Sequence, residues 1–396
     1  MTAVAITVLV AVAAAYALAG TVLTLAGRLR QDSRCDDLPR VSIVVAARDE
    51  EAHLPRCLHS LAQVDYPRDR LEIILVDHQS RDHTGALLAA FCAQHHHARL
   101  VRVRDGSTAL CGKAAAAAAG IERSHGEIVL MTDADCAIPP TWVRTVVSHF
   151  VPEVGVVCGF TTVHGEAGRF AQAQALDWLF LLSVAAGAGE LGKPLSWVGN
   201  NLAFRRSAYD QVGGYRGVGF SLTEDFALFK AISTLTSWKV RYVRDPAALV
   251  ETQALPQWRQ VLAQRLRWAI GGRSVARLGK VLLTLGAGVR FLLVPAATLA
   301  ARQPLAALVP LAVLLTDFLL LHHTCRALNR RGALRAFLSF ETLFATYVLA
   351  GAAVLPFLRA LEWKGTRYRL RPPASPPSSA PLPARQVAAF APEPWN

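Results

Sequence analysis

The chain has 396 residues, enough for one large domain or two ordinary ones, and its 53% hydrophobic content and mean hydropathy of +0.30 lie above the soluble average. A formal net charge of +13 invites a nucleic-acid role. However, much of the arginine flanks apolar segments, where anionic lipid attracts it, and no aromatic-basic module or finger pattern is present, so no nucleic-acid partner is expected. The seven cysteines (35, 57, 92, 111, 136, 158 and 325) are scattered and lack Cys-x-x-Cys, which fits reduced thiols in a cytosolic domain.

Residues 2–26 carry no charge, and about 20 such residues span a bilayer core. The first charges afterwards, Arg28, Arg30 and Arg34, put the N-terminus outside and the following domain in the cytosol. Ala17-Leu18-Ala19-Gly20 would pass as a signal cleavage site, but Met1-Thr2-Ala3 offers no basic n-region. Residues 1–27 are therefore read as an uncleaved anchor.

The next stretch alternates. Residues 41–47 form a buried-strand run, and a helical stretch opened by Arg48-Asp49-Glu50-Glu51 continues to Leu61. A second strand, 71–77, ends in Asp77. A helix at 84–94, a short strand at 99–103 and an alanine-rich helix at 113–121 follow. The apolar run Ile128-Val129-Leu130-Met131 then ends in Thr132-Asp133-Ala134-Asp135. Strands alternating with helices predict an α/β fold with a parallel, doubly wound sheet. Residues 154–242 are irregular, with glycine turns at Gly199, Gly213-Gly214 and Gly217 to Gly219, and are expected to hold the acceptor side.

Two further stretches, 304–321 and 337–358, each predict a membrane helix, with Asp317 and Glu341 as expensive interior acids. A third, 281–301, has Arg290 in its middle. It either spans or lies in the interface with Lys280 and Arg290 reaching for headgroups. The basic residues of 322–335 and of the tail after Leu358 cannot both be cytosolic if every apolar stretch crosses. The domains expected are an anchor (1–27), a cytosolic domain (40–272), a membrane region of two or three helices (278–358) and a basic, then Pro-rich tail (359–396), partly disordered.

Several residues carry chemistry. Ligand sites in open α/β sheets lie off the carboxyl ends of strands. Asp133 and Asp135 stand at such an end, and a hard cation shared with substrate phosphates needs only one or two carboxylates. Asp77 ends its strand at the same edge, where it either accepts from the imide of a uracil or caps the next turn. Gly112-Lys113 opens a helix whose N-terminus favours phosphate; a plain surface lysine is the other reading. In Thr223-Glu224-Asp225, Asp225 lies in a first helical turn. It either answers the helix dipole or acts as a general base for a hydroxyl nucleophile. Gln264, Arg265, Arg267 and Trp268 sit on a helix beginning near Gln257. An arginine fork there suits phosphate and the indole suits a sugar ring, although interfacial Trp and Arg beside a membrane look the same. His95-His96-His97 reads as a solvated loop.

Together these elements resemble a membrane-bound family 2 glycosyltransferase with a GT-A fold, ceramide glucosyltransferase-like. The motifs are those above with Gly199-Asn200-Asn201, Phe204-Arg205-Arg206 and Gly213-Gly214-Tyr215, all in residues 40–272; the segment 362–371 resembles the end of glycolipid-forming enzymes. The resemblance implies a nucleotide-sugar donor (a UDP-sugar) and a membrane-lipid acceptor, with inversion at the anomeric carbon. It implies Mg²⁺ or Mn²⁺ held by Asp135, and Asp225 as the catalytic base. Asp77, Lys113, Asp133, Glu224, Gln264, Arg265, Arg267 and Trp268 are then the substrate-binding residues. A processive polysaccharide synthase shares these motifs but needs a polymer channel, usually built from more membrane helices; a non-catalytic membrane scaffold would not need its acids intact. Two positions depart from the pattern. His78 replaces a second acid after Asp77, and Ala118 replaces an asparagine of the Gly-Lys helix.

Overall fold

The computed structural model describes residues 2–28, 34–103, 110, 112–165, 168–219, 221–363 and 366–369. Arg30, Cys111, Lys364 and the Pro-rich tail lie outside them. The chain begins with α1 (Thr2–Ala26). The α/β domain then runs through β1 (Val41–Ala47), α2 (Leu54–Ala62), β2 (Leu71–His78), α3 (Thr84–Gln94), β3 (Ala98–Val103), α4 (Gly112–Glu122), β4 (Ile128–Asp133) and α5 (Trp142–Val147). Its second half holds β5 (Val154–Gly159), β6 (Thr161–Val163), α6 (Arg169–Glu190), β7 (Leu202–Arg205), α7 (Arg206–Gln211), α8 (Gly214–Val218), α9 (Glu224–Leu235), β8 (Lys239–Val243), β9 (Val250–Thr252) and α10 (Trp258–Gly271). Three long helices, α11 (Arg277–Ala300), α12 (Leu308–Ala327) and α13 (Phe337–Val354), precede the hairpin β10 (Ala360–Trp363) and β11 (Thr366–Arg369).

Seven strands form one sheet in the order β3-β2-β1-β4-β7-β5-β8. β1 is parallel to β2 and β4, whereas β7 is antiparallel to both β4 and β5, so the sheet is mixed rather than wholly parallel. The short runs of 154–242 gave no clean period, which is why the antiparallel insertion escaped the sequence. The continuous apolar runs of β1 and β2 follow from burial on both faces. Val44, Ile74 and Val76 join the layer that contains α4 and α6, and Ile43, Val45, Ile73 and Leu75 join the layer of α2 and α5. The alanines of α4 let it approach closely: a Cβ on Gly120 would lie 2.7 Å from Val44 and 2.8 Å from Val76.

Four helices, from Val4–Ala26 through Arg331–Val354, are long and apolar enough to cross a membrane. Within them Arg290 is 1% exposed. It does not reach for headgroups, because its guanidinium pairs with Asp317, lies 3.6 Å from Glu341 and donates to the Tyr16 hydroxyl at 2.7 Å. The two interior acids are its partners. An unpaired arginine at that depth would be strongly unfavourable, and this cluster supplies its counter-charges.

Candidate active site

A cavity of about 490 Å³ opens at the carboxyl end of β4. β4 delivers Asp133 in register with Ala46 of β1, and the turn after it presents Asp135. Both line the cavity, as do Lys113 from the first turn of α4, Glu224 and Asp225 from the first turn of α9, and Gln264, Arg267 and Trp268 from α10. Residues 113, 133, 225 and 267, distant in sequence, thus share one space.

Lys113 bridges two of the acidic segments. Its Nζ donates to Asp133 Oδ1 at 2.5 Å and lies 3.5 Å from Glu224 Oε1. Burial by itself would push the ammonium's pKa down, but Asp133, Glu224 and Asp225 outweigh it and hold it raised. Lys113 is therefore a fixed cation within the acidic cluster rather than a lone phosphate contact. Glu224 is 4% exposed, and burial raises its pKa against the opposing pull of Lys113. The adjacent Asp225 is held differently. Its Oδ2 accepts the Gly199 N–H at 2.6 Å and its Oδ1 accepts the Phe226 N–H at 2.8 Å. A Cβ at residue 199 would lie 2.8 Å from the Asp225 Cβ, so glycine there is what lets the two segments meet.

Asp135 Oδ2 accepts the Thr252 hydroxyl at 3.3 Å, and its carbonyl accepts from Arg56 at 3.0 Å. Among the described residues no group of three or more His, Cys, Asp or Glu is placed to hold a metal ion, the His95-His96-His97 triplet included. Asp135 beside Asp133 nevertheless suits a hard cation that takes most of its ligands from water and a diphosphate. The donor set fits Mg²⁺ or Mn²⁺ shared with substrate and does not make a closed protein cage.

On α10, Gln257 and Gln260 form a capping box, which sets the helix start where the sequence predicted it. Arg267 lines the cavity and donates to the Leu222 carbonyl at 3.2 Å. Trp268 packs edge-on against Trp178 of α6, with centroids 4.9 Å apart. Arg265 is not among the cavity's lining residues. It is 6% exposed, pairs with the fully buried Asp177 and stacks 4.2 Å over the Trp268 ring. Residues two apart on a helix do not face each other, so Arg265 and Arg267 project in different directions.

Asp77 is not among the cavity's lining residues either. It sits two strands from Asp133, and its Oδ1 accepts the Ser80 N–H at 3.1 Å, the turn-capping alternative. His78, 4% exposed, lines the cavity instead. Ala118 is packed in the core beneath α4, away from the lining, so its departure from the family pattern leaves the described cavity untouched.

Gln174 and Trp178, which α6 brings to the cavity, were missed in the sequence. Gln174 clips the strand-to-helix segment before α10 by bonding both the N–H and the carbonyl of Leu255 at 2.9 Å. The available signal was Asp177, an acid in the middle of an apolar helix, which required a buried partner.

The mixed sheet and the acids gathered off β4 are those of a GT-A glycosyltransferase. Residues 5–375 match the family described as Glycosyl transferase family 21, and the chain belongs to that family. It is 33% identical over 254 residues to Beta-monoglucosyldiacylglycerol synthase of Synechocystis sp., covering 62% of this chain and 50% of that protein. It is 29% identical over 245 residues to the Probable glycosyltransferase YdaM of Bacillus subtilis, covering 60% and 56%. The chain therefore spans about half the length of these curated relatives. Mannosyltransferase PcManGT from Pyrobaculum calidifontis, solved in complex with GDP-Man and Mn2+, is similar in fold. Its TM-score is 0.56 at 20% identity, over 88% of this chain and 98% of that one.

Proposed function

We propose that this enzyme moves one sugar from a nucleotide-sugar, a UDP-sugar, to a hydroxyl of a membrane lipid with inversion at the anomeric carbon. The observation that carries the reading is the convergence of Asp133 and Asp135, Glu224 and Asp225, and Gln264, Arg267 and Trp268 on one cavity whose wall, α10, leads directly into an apolar helix. The relatives' printed function as monoglucosyldiacylglycerol synthases supports a lipid acceptor, and the manganese in the similar mannosyltransferase supports a divalent ion.

In this reading Asp225 takes the proton from the acceptor hydroxyl as its oxygen bonds to the anomeric carbon, while the bond from that carbon to the diphosphate breaks. Two backbone N–H groups fix the Asp225 carboxylate, and the other lone pairs of its oxygens are free to accept the acceptor proton. Arg267 offers a guanidinium fork to the diphosphate, and Trp268, braced by Trp178, a flat apolar wall for a sugar. Asp135, with Asp133 beside it, would hold a divalent cation, which when bound neutralises charge on the departing nucleoside diphosphate. Lys113 keeps the neighbouring carboxylates compensated. The proposed partition remains anchor 1–27, cytosolic catalytic domain 40–272, membrane region 278–358 and tail 359–396.

Purified enzyme with radiolabelled UDP-sugars and a membrane-lipid extract tests the reading. The expected product is chloroform-soluble and carries one sugar. Chelation of divalent ions should abolish its formation, and Mg²⁺ or Mn²⁺ should restore it. A long water-soluble chain would establish the processive alternative.

A further inference from the structure

The packing of the four apolar helices fixes their relative directions. α1 and α12 run side by side toward the α/β domain: Leu9 and Ala13 cluster with Val309, Tyr16 bonds to Asp317, and His323 bonds to the Gly27 carbonyl. α11 runs the other way. Its approach, at Val275 and Leu282, packs on Leu23 and Ala188 next to the domain, and its far half, at Ala296, joins Leu9 and Val309. These three helices share a far end.

No residue of α13 belongs to that far-end cluster. The loop before α13 is tied to the domain, because Arg330 pairs with Glu251 of β9. Phe340 and Phe344 then pack on Phe180 of α6, and the Tyr347 hydroxyl donates to Asp177 of α6 at 2.8 Å. Beyond its last turn, Leu355 and Leu358 pack with Leu266 and Ile270 of α10 and with Leu361 of the terminal hairpin. A helix of 18 residues is about 27 Å long, so a crossing helix would carry its C-terminal end to the far face, away from α10. Both ends of α13 touch the domain instead.

We infer that α13 does not cross the membrane: it lies within the leaflet next to the α/β domain and presents its outer face to the acyl chains there. That face bears the apolar residues an acyl environment requires, with Leu338 68% and Val354 38% exposed. The arrangement also settles the charge conflict in the sequence. Arg331 and Arg335 before α13 and Arg359 after it fall on one side, where anionic headgroups attract them all.

The test is labelling of single introduced cysteines with a membrane-impermeant maleimide in vesicles of both orientations, with Cys35, Cys92 and Cys111 replaced by serine. Gly332→Cys and Arg359→Cys should label in the same vesicles as Arg99→Cys on the domain, and Arg302→Cys, between α11 and α12, only in the opposite ones. Labelling of Arg359→Cys together with Arg302→Cys overturns the inference. A C-terminal epitope on the otherwise unaltered chain gives the same readout without substitution. Protease should remove it from vesicles that expose the domain; removal only from the opposite vesicles places α13 across the bilayer.

Discussion

Glu224 and Asp225 are chemically similar neighbours whose surroundings assign them different work. Glu224 is buried against Lys113, whereas Asp225 is clamped by two N–H groups at the cavity edge. Asp225→Asn keeps an oxygen for Gly199 but sets an amide NH₂ against the Phe226 N–H, so its stability cost should be on the order of 1 kcal/mol. Turnover should fall about 10²–10⁴-fold, the range of a lost general base. Glycosyl transfer at the parental rate by this variant would remove Asp225 as the base. A second residue outside the site contributes to acid stability. Burial, helped by Arg34 and Arg241, pushes the His149 imidazole down to about 4. The unfolded chain, with a histidine near ~6.5, binds the proton first, so stability present above that value is lost as pH falls toward 4. His149→Phe should flatten that part of the melting-temperature profile, measured from pH 7 to pH 4.

Among elements, α10 shows how a helix is aimed. Arg267 and Trp268 line the cavity, while Arg265 beside them pairs with Asp177 of α6 and stacks on the Trp268 ring. Breaking a buried pair by removing one partner leaves an uncompensated charge and costs about 3–5 kcal/mol. Arg265→Met should therefore lower the melting temperature sharply. The double variant with Asp177→Leu should recover most of that stability, since no charge is then stranded. The helix starts near 257 and in α9 were legible from residue pattern, and so was the strand ending at Asp133. β7 was not, because four residues inserted antiparallel between longer strands have no period of their own.

At the scale of the whole molecule, one ionic cluster joins all four apolar helices: Tyr16 on α1, Arg290 on α11, Asp317 on α12 and Glu341 on α13. Buried interhelical hydrogen bonds in membrane proteins average about 0.6 and reach about 1.7 kcal/mol. Tyr16→Phe, which removes two such bonds and no charge, should lower the melting temperature in detergent modestly. Arg290→Met, which strands two acids, should lower it far more. Equal losses from the two variants would show that the cluster is not held by its arginine.

Local order in the chain determined the alternating strands and helices of the first half, the acids at the end of β4 and the apolar lengths, because each is a property of neighbours in sequence. It also carried the family resemblance. The tertiary structure alone decided that Arg267 rather than Arg265, and His78 rather than Asp77, line the cavity, since orientation depends on partners such as Asp177 and Ser80 supplied from elsewhere. It likewise decided the course of α13: hydropathy counts apolar residues but does not register that Tyr347 and Leu355 are packed on the α/β domain and its terminal hairpin.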